Sequence, residues 1–126
     1  MTFKAHVITI FPEAFTGFLE ASLIGKARER GLVEIETVDV RAFADGRHRS
    51  TDDAPYGGGG GMVMKVEPIA AALDQIASHC TLDSTILLTP NGELFSNERA
   101  VELSQLEHIA IICGRYEGID ERVSDL

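Results

Sequence analysis

The chain has 126 residues, 44% hydrophobic and 25% charged, which is room for one domain whose core needs no metal or disulfide staple. A formal charge of −9 argues, taken alone, against nucleic-acid binding, because phosphate contacts draw on Lys and Arg; yet Arg41, Arg47, His48 and Arg49 cluster in one segment and Arg115 and Arg122 sit near the end, so a local basic site on an acidic body stays open. Residues 3–10 are too short a run for a signal peptide, nothing approaches a membrane span, and Cys80 and Cys113 form no CxxC pair, which points to a soluble, cytoplasmic protein with free thiols.

Val7 to Ile10 is a short apolar, β-branched run and predicts a buried strand. Pro12 and Glu13 suit a helix start, and Phe15, Phe18, Leu19, Leu23 and Ala27 repeat at helical spacing up to the stop at Gly31. Gly17 and Gly25 weaken a continuous helix there, so two short ones fit as well. Val33 to Val40 alternates and predicts a second strand, whereas Ala42 to Gly61 shows no period and predicts a long loop. A helix follows over Glu67 to Ala77, with Pro68 tolerated in its first turn. Thr85 to Thr89 is a third strand signal, Asn97 caps a helix running to about Leu106, and Ile109 to Cys113 is a fourth strand signal. Strands alternating with helices predict an α/β domain: an open, mostly parallel sheet with helices on both faces, ligands binding outside the carboxyl ends of its strands.

Four segments are candidates for chemistry. In Tyr56-Gly57-Gly58-Gly59-Gly60-Gly61-Met62, five glycines allow positive φ, close ligand approach and an anion-binding nest, or simply a flexible linker. No Gly-Lys-Ser/Thr follows, so it is not a P-loop. Arg47-His48-Arg49 reads either as a solvated charged turn or as a phosphate clamp. Leu88-Thr89-Pro90-Asn91-Gly92 is either a plain turn or a cofactor edge whose backbone and amide groups read a purine or ribose. The segment Gly114-Arg115-Tyr116-Glu117-Gly118-Ile119-Asp120-Glu121-Arg122, directly after a strand, packs two glycines, an aromatic, three carboxylates and two arginines. It suits a capped helix start with surface ion pairs or, at that density, a working site. Cys113 is expected to be a buried free thiol, and His6, His79 and His108 have no clustered partners along the chain, so no metal ligands are expected among them.

In this order, the segments Ile10-Phe11-Pro12-Glu13, Arg47-His48-Arg49, Asp52-Asp53, Tyr56-Gly57-Gly58-Gly59, Gly61-Met62 and Gly114 to Arg122 resemble the bacterial tRNA (guanine37-N1)-methyltransferase family, over essentially the whole chain. The resemblance implies an α/β-knot domain, homodimeric, that transfers a methyl group from S-adenosylmethionine to N1 of the guanosine 3′ of the anticodon in tRNA, with neither DNA nor membrane as partner. It implies that Leu88, Thr89, Pro90, Asn91 and Gly92 line the adenosine side of the cofactor, and Gly114, Tyr116, Glu117, Gly118 and Ile119 a second wall. Glu117 would face the methionine end, where magnesium is implicated. Arg47, His48, Arg49, Tyr56, Gly57, Gly58 and Gly59 would lie near the dimer interface and the RNA. Gly60 stands where the family usually has Pro or Ala. On the family pattern, residues 1–126 form one cofactor-binding domain that stops before the third cofactor segment, the close of the knot, the catalytic aspartate and the C-terminal domain. Weak or absent turnover by these residues alone is the corresponding expectation, with a ligand-binding, non-catalytic role as the alternative.

Overall fold

In the computed structural model, residues 2–44, 52–53, 63–90 and 92–114 are described. Four strands, β1 (Phe3–Thr9), β2 (Val33–Asp39), β5 (Ser84–Leu87) and β6 (His108–Ile112), form one sheet in the order β2-β1-β6-β5, every neighbouring pair parallel. Between them lie α1 (Thr16–Glu20), α2 (Ser22–Glu29), the short antiparallel pair β3 (Asp52–Asp53) and β4 (Val63–Met64), α3 (Val66–His79) and α4 (Asn97–Ser104). The expected parallel α/β architecture is therefore what the chain adopts.

Period-2 alternation gives the sheet two faces. One face presents Ile8 and Ile10 beside Val40, Ala110 and Ile112, and α3 covers it with Ile69, Ala72 and Ile76. Ile8, Ile69, Ile112 and Val40 are fully buried, each contributing about 1.5–3 kcal/mol of transfer free energy. The other face carries Ala5, Val7 and Ile109, all buried, together with Leu19 of α1 and Leu103 of α4.

Local chemistry sets several boundaries away from the sequence expectation. β1 begins four residues earlier than Val7, because Phe3 to His6 already pair with β2 over Val33 to Glu36. It ends where buried Thr9 accepts the Phe11 N–H through its hydroxyl at 3.1 Å, turning the chain into a 3-10 turn at Pro12–Phe15. The helical stretch does split, but at Ala21 (ψ 146°) and Ser22 (φ 51°), not at a glycine. Gly25 is needed for a different reason: a Cβ there would run into the Glu20 carbonyl, so the glycine lets α2 fold back closely on the end of α1. Gly31 stops α2 as expected, with φ 71° and the Leu32 N–H donating to the Ala27 carbonyl at 3.0 Å.

The stretch from Ala42 is less loop-like than expected at its start and at its middle. Val40–Phe43 forms a 3-10 turn, its start held by Asp39 Oδ1 accepting the Arg41 N–H at 2.9 Å. Asp52 pairs with Met64 and Asp53 with Val63. The cap of α4 is Ser96 rather than Asn97: the Ser96 hydroxyl accepts the Arg99 N–H at 3.1 Å, and Asn97 is the first helical residue.

Candidate functional site

Because the four strands run parallel, their carboxyl ends emerge together at one edge of the sheet. β5 and β6 are adjacent, with Leu87 in register with Ile112. The Leu88 N–H donates to the Ile112 carbonyl at 3.2 Å, and the Cys113 N–H donates to the Ile8 carbonyl at 2.9 Å. These two bonds extend the ladder one residue past the strands and set Leu88-Thr89 beside Cys113-Gly114. Two segments that the sequence separates by more than twenty positions thus leave the sheet side by side.

After β5 the chain turns at once. The Gly92 N–H donates to the Thr89 carbonyl at 3.3 Å, and a Cβ on Gly92 would stand 3.2 Å from Thr89 Cγ2. A side chain there would push that methyl group aside by a few tenths of an ångström. Leu88, Thr89, Pro90 and Gly92 are exposed. Leu88, Thr89 and Gly92 line one end of a groove of about 940 Å³ between the sheet and α4, floored by Ile86, Ile109 and Ile111 and walled by Leu103 and Arg99. Its floor is apolar and its rim carries hydroxyl and backbone groups, the combination that suits a purine and its ribose. Of the expected adenosine wall, Leu88, Thr89 and Gly92 thus stand at this groove. A second groove of about 460 Å³ between α2 and β2 is lined by none of the expected site residues.

Cys113 is half-buried rather than fully buried, and desolvation pushes its thiol pKa up. Gly114 follows it, exposed. Among the expected site residues, Asn91, Tyr116, Glu117, Gly118 and Ile119 lie outside the described residues, as do Arg47, His48, Arg49, Tyr56, Gly57, Gly58 and Gly59. What is described around that last group is the pairing of β3 with β4, which holds Asp53 opposite Val63. Arg41, the first cation of the basic segment, lies over the Phe11 ring at 5.4 Å.

The opposite end of the sheet holds a grouping that spacing along the chain does not reveal. His6, Cys80 and His108 each offer a ligand-type atom within 4.8 Å of the others. Asp83 lies beside them: its Oδ2 accepts the N–H groups of His108 at 2.9 Å and Glu107 at 3.0 Å. Those two bonds hold its carboxyl below the ordinary carboxylate range. His79, by contrast, is exposed and meets the Ser78 hydroxyl at 2.8 Å. No helix among the described residues is long and apolar enough to cross a membrane.

Comparison with known proteins places this arrangement. The family described as tRNA (Guanine-1)-methyltransferase TrmD matches residues 3–126. A tRNA (guanine-N(1)-)-methyltransferase of Geobacter metallireducens is 51% identical over 123 residues, covering 98% of this chain and 50% of the relative. Its counterpart in Wolbachia pipientis subsp. Culex pipiens is 46% identical over 126 residues, covering all of this chain and 54% of the relative. The crystal structure of a tRNA (m1G37) methyltransferase from Aquifex aeolicus superimposes with a TM-score of 0.88 at 40% identity, over 99% of this chain and 56% of that one. The chain thus spans about half the length of the relatives it matches.

Proposed function

Since the chain belongs to the tRNA (guanine-1)-methyltransferase family, we propose that it supplies the S-adenosylmethionine-binding portion of an enzyme that methylates N1 of guanosine 37 in tRNA. The observation that carries this reading is the side-by-side exit of Leu88-Thr89 and Cys113-Gly114 from β5 and β6, at the mouth of an apolar groove. In open parallel sheets, that is where ligands bind.

In this reading the turn of Leu88, Thr89, Pro90, Asn91 and Gly92 holds the adenosine, and Gly114, Tyr116, Glu117, Gly118 and Ile119 form the facing wall. S-adenosylmethionine supplies an electrophilic methyl group on a sulfonium. The two walls orient that end so that a guanine nitrogen can approach in line, and such positioning carries much of the rate of a bimolecular transfer. Glu117 sets a carboxylate near the positive sulfur and is the residue that would meet magnesium. Guanine N1 carries a proton that a base must accept; on the family pattern that base, an aspartate, belongs to a segment after the matched one. Residues 1–126 by themselves are therefore expected to bind the cofactor with weak or no turnover. Arg47, His48, Arg49, Tyr56, Gly57, Gly58 and Gly59 are assigned to contacts with tRNA or with the second subunit of a homodimer, in the cytoplasm.

Calorimetric titration of the purified chain with S-adenosylmethionine tests the reading. Micromolar binding is expected, weakened at least about tenfold by Gly92→Val, whose side chain must displace Thr89. Folded chain that binds none of it, or that binds a nucleoside triphosphate instead, refutes the assignment of these loops.

A further inference from the structure

His6, in the middle of β1, and His108, first residue of β6, point to the same face of the sheet: Lys4 is in register with His108 and His6 with Ala110. Cys80 ends α3 on that face and packs against the edge of the core. The Cys80 Sγ stands 3.8 Å from His6 Nε2. Tetrahedral zinc bonds of about 2.3 Å to sulfur and about 2.0 Å to nitrogen put those two atoms about 3.5 Å apart. The His6 and His108 rings are 10° from parallel, with centroids 5.9 Å apart. All three ligand-type atoms lie within 4.8 Å of one another, so closing on a shared ion asks for side-chain shifts of about an ångström.

We propose that His6 Nε2, the Cys80 thiolate and a ring nitrogen of His108 bind one thiophilic divalent transition-metal ion, with zinc as the reference case. Two further observations point to a ligand here. The Nδ1 atom of His108 is buried and without a hydrogen-bond partner, a cost that native proteins rarely carry unless something else meets the ring. The His6 Nδ1 also lies 3.6 Å from Glu36 Oε2, so that Nε2 is left for the metal while a carboxylate stands behind the ring, the usual support of a metal-bound histidine. The third ligand is held at its backbone: Asp83 accepts the His108 N–H, and the Asp83 N–H donates to the His108 carbonyl at 2.8 Å. Exposed Glu36 on β2 sets a carboxylate at the approach, while Glu34 beside it is paired with Lys4 at 3.9 Å. On binding, the Cys80 thiol releases its proton to solvent and forms the sulfur–metal bond. Three protein ligands leave one tetrahedral position for water. The site stands at the amino ends of the strands and does not depend on the methyltransferase reading.

Titration of the reduced chain with Co²⁺, followed by absorbance, is the test. One equivalent should produce a thiolate-to-cobalt band in the near ultraviolet and the intense visible bands of tetrahedral cobalt, and Zn²⁺ should displace it. Cys113→Ser should retain the bands and Cys80→Ser should abolish them. Glu36→Gln, on the exposed edge strand, should weaken zinc binding about tenfold with the fold unchanged by circular dichroism. A wild-type chain that yields no saturable thiolate band, or a band that survives Cys80→Ser, overturns the proposal. The wild-type titration decides this even if a variant fails to fold.

Discussion

The two ends of the same four strands are built on opposite plans. At the carboxyl end, the candidate groups come from the segments that directly follow the strands, so Thr89 and Gly114 are neighbours because β5 and β6 are. At the amino end, the groups come from mid-strand, strand start and helix end, and His6 meets a cysteine 74 positions away. The first plan leaves a local mark in the sequence, a polar or glycine-bearing run after an apolar one. The second leaves none, because only the strand order β2-β1-β6-β5 brings its members together.

The largest expected effect is one that damages the carboxyl end through the core. Ile112 is fully buried and carries the ladder into Leu88, so Ile112→Ala should cost about 2–5 kcal/mol in urea unfolding. It should also loosen the Leu88 turn more than the Asp83 clamp, which hydrogen exchange of the Leu88 and His108 amides would separate. Equal loss of protection at both would break the distinction between the ends. Next comes Ser96→Ala, which removes the hydroxyl that accepts the Arg99 N–H and should cost about 1 kcal/mol, felt at α4 and the groove wall.

A smaller effect, visible as a pH slope, belongs to the amino end. The folded pKa of Asp83 is depressed by the N–H groups of His108 and Glu107. Its contribution is therefore present above the unfolded pKa and is lost as pH falls through the folded one. Asp83→Asn should flatten that acid limb of stability, measured by unfolding at pH 2–6, and leave S-adenosylmethionine binding alone. Smallest is Glu102→Gln on the exposed Arg99–Glu102 pair, 2.8 Å long. It should change stability by less than about 0.5 kcal/mol, and a larger loss would mean that α4 is held by charge rather than by its cap.

Period and punctuation made the sheet legible: all four of its strands and α3 stand within a few residues of where alternation and apolar runs put them. What escaped did so for identifiable reasons. The break between α1 and α2 was set by the backbone at Ala21 and Ser22, while Gly25 answered a tertiary need, the approach of Glu20, that no propensity encodes. Ser96 and Asn97 are both good caps, and one residue of register decided between them. The two-residue strands β3 and β4 are too short to show a period. The Leu88–Gly92 turn was readable because it directly follows a strand, and the His6–Cys80–His108 grouping was not, because a histidine inside a strand looks like any other half-buried residue.

The outermost strands of the four-stranded sheet carry one further consequence. Seven-residue β2 carries Glu34 and Glu36 on one face, and β5 at the other side is only four residues long. A strand from another molecule that tried to zip onto β2 would stack its own side chains against these two carboxylates, and β5 offers too short a template to hold one. The β2 edge thus resists edge-to-edge aggregation, and replacing Glu34 and Glu36 by neutral residues is the change under which the chain should begin to clump.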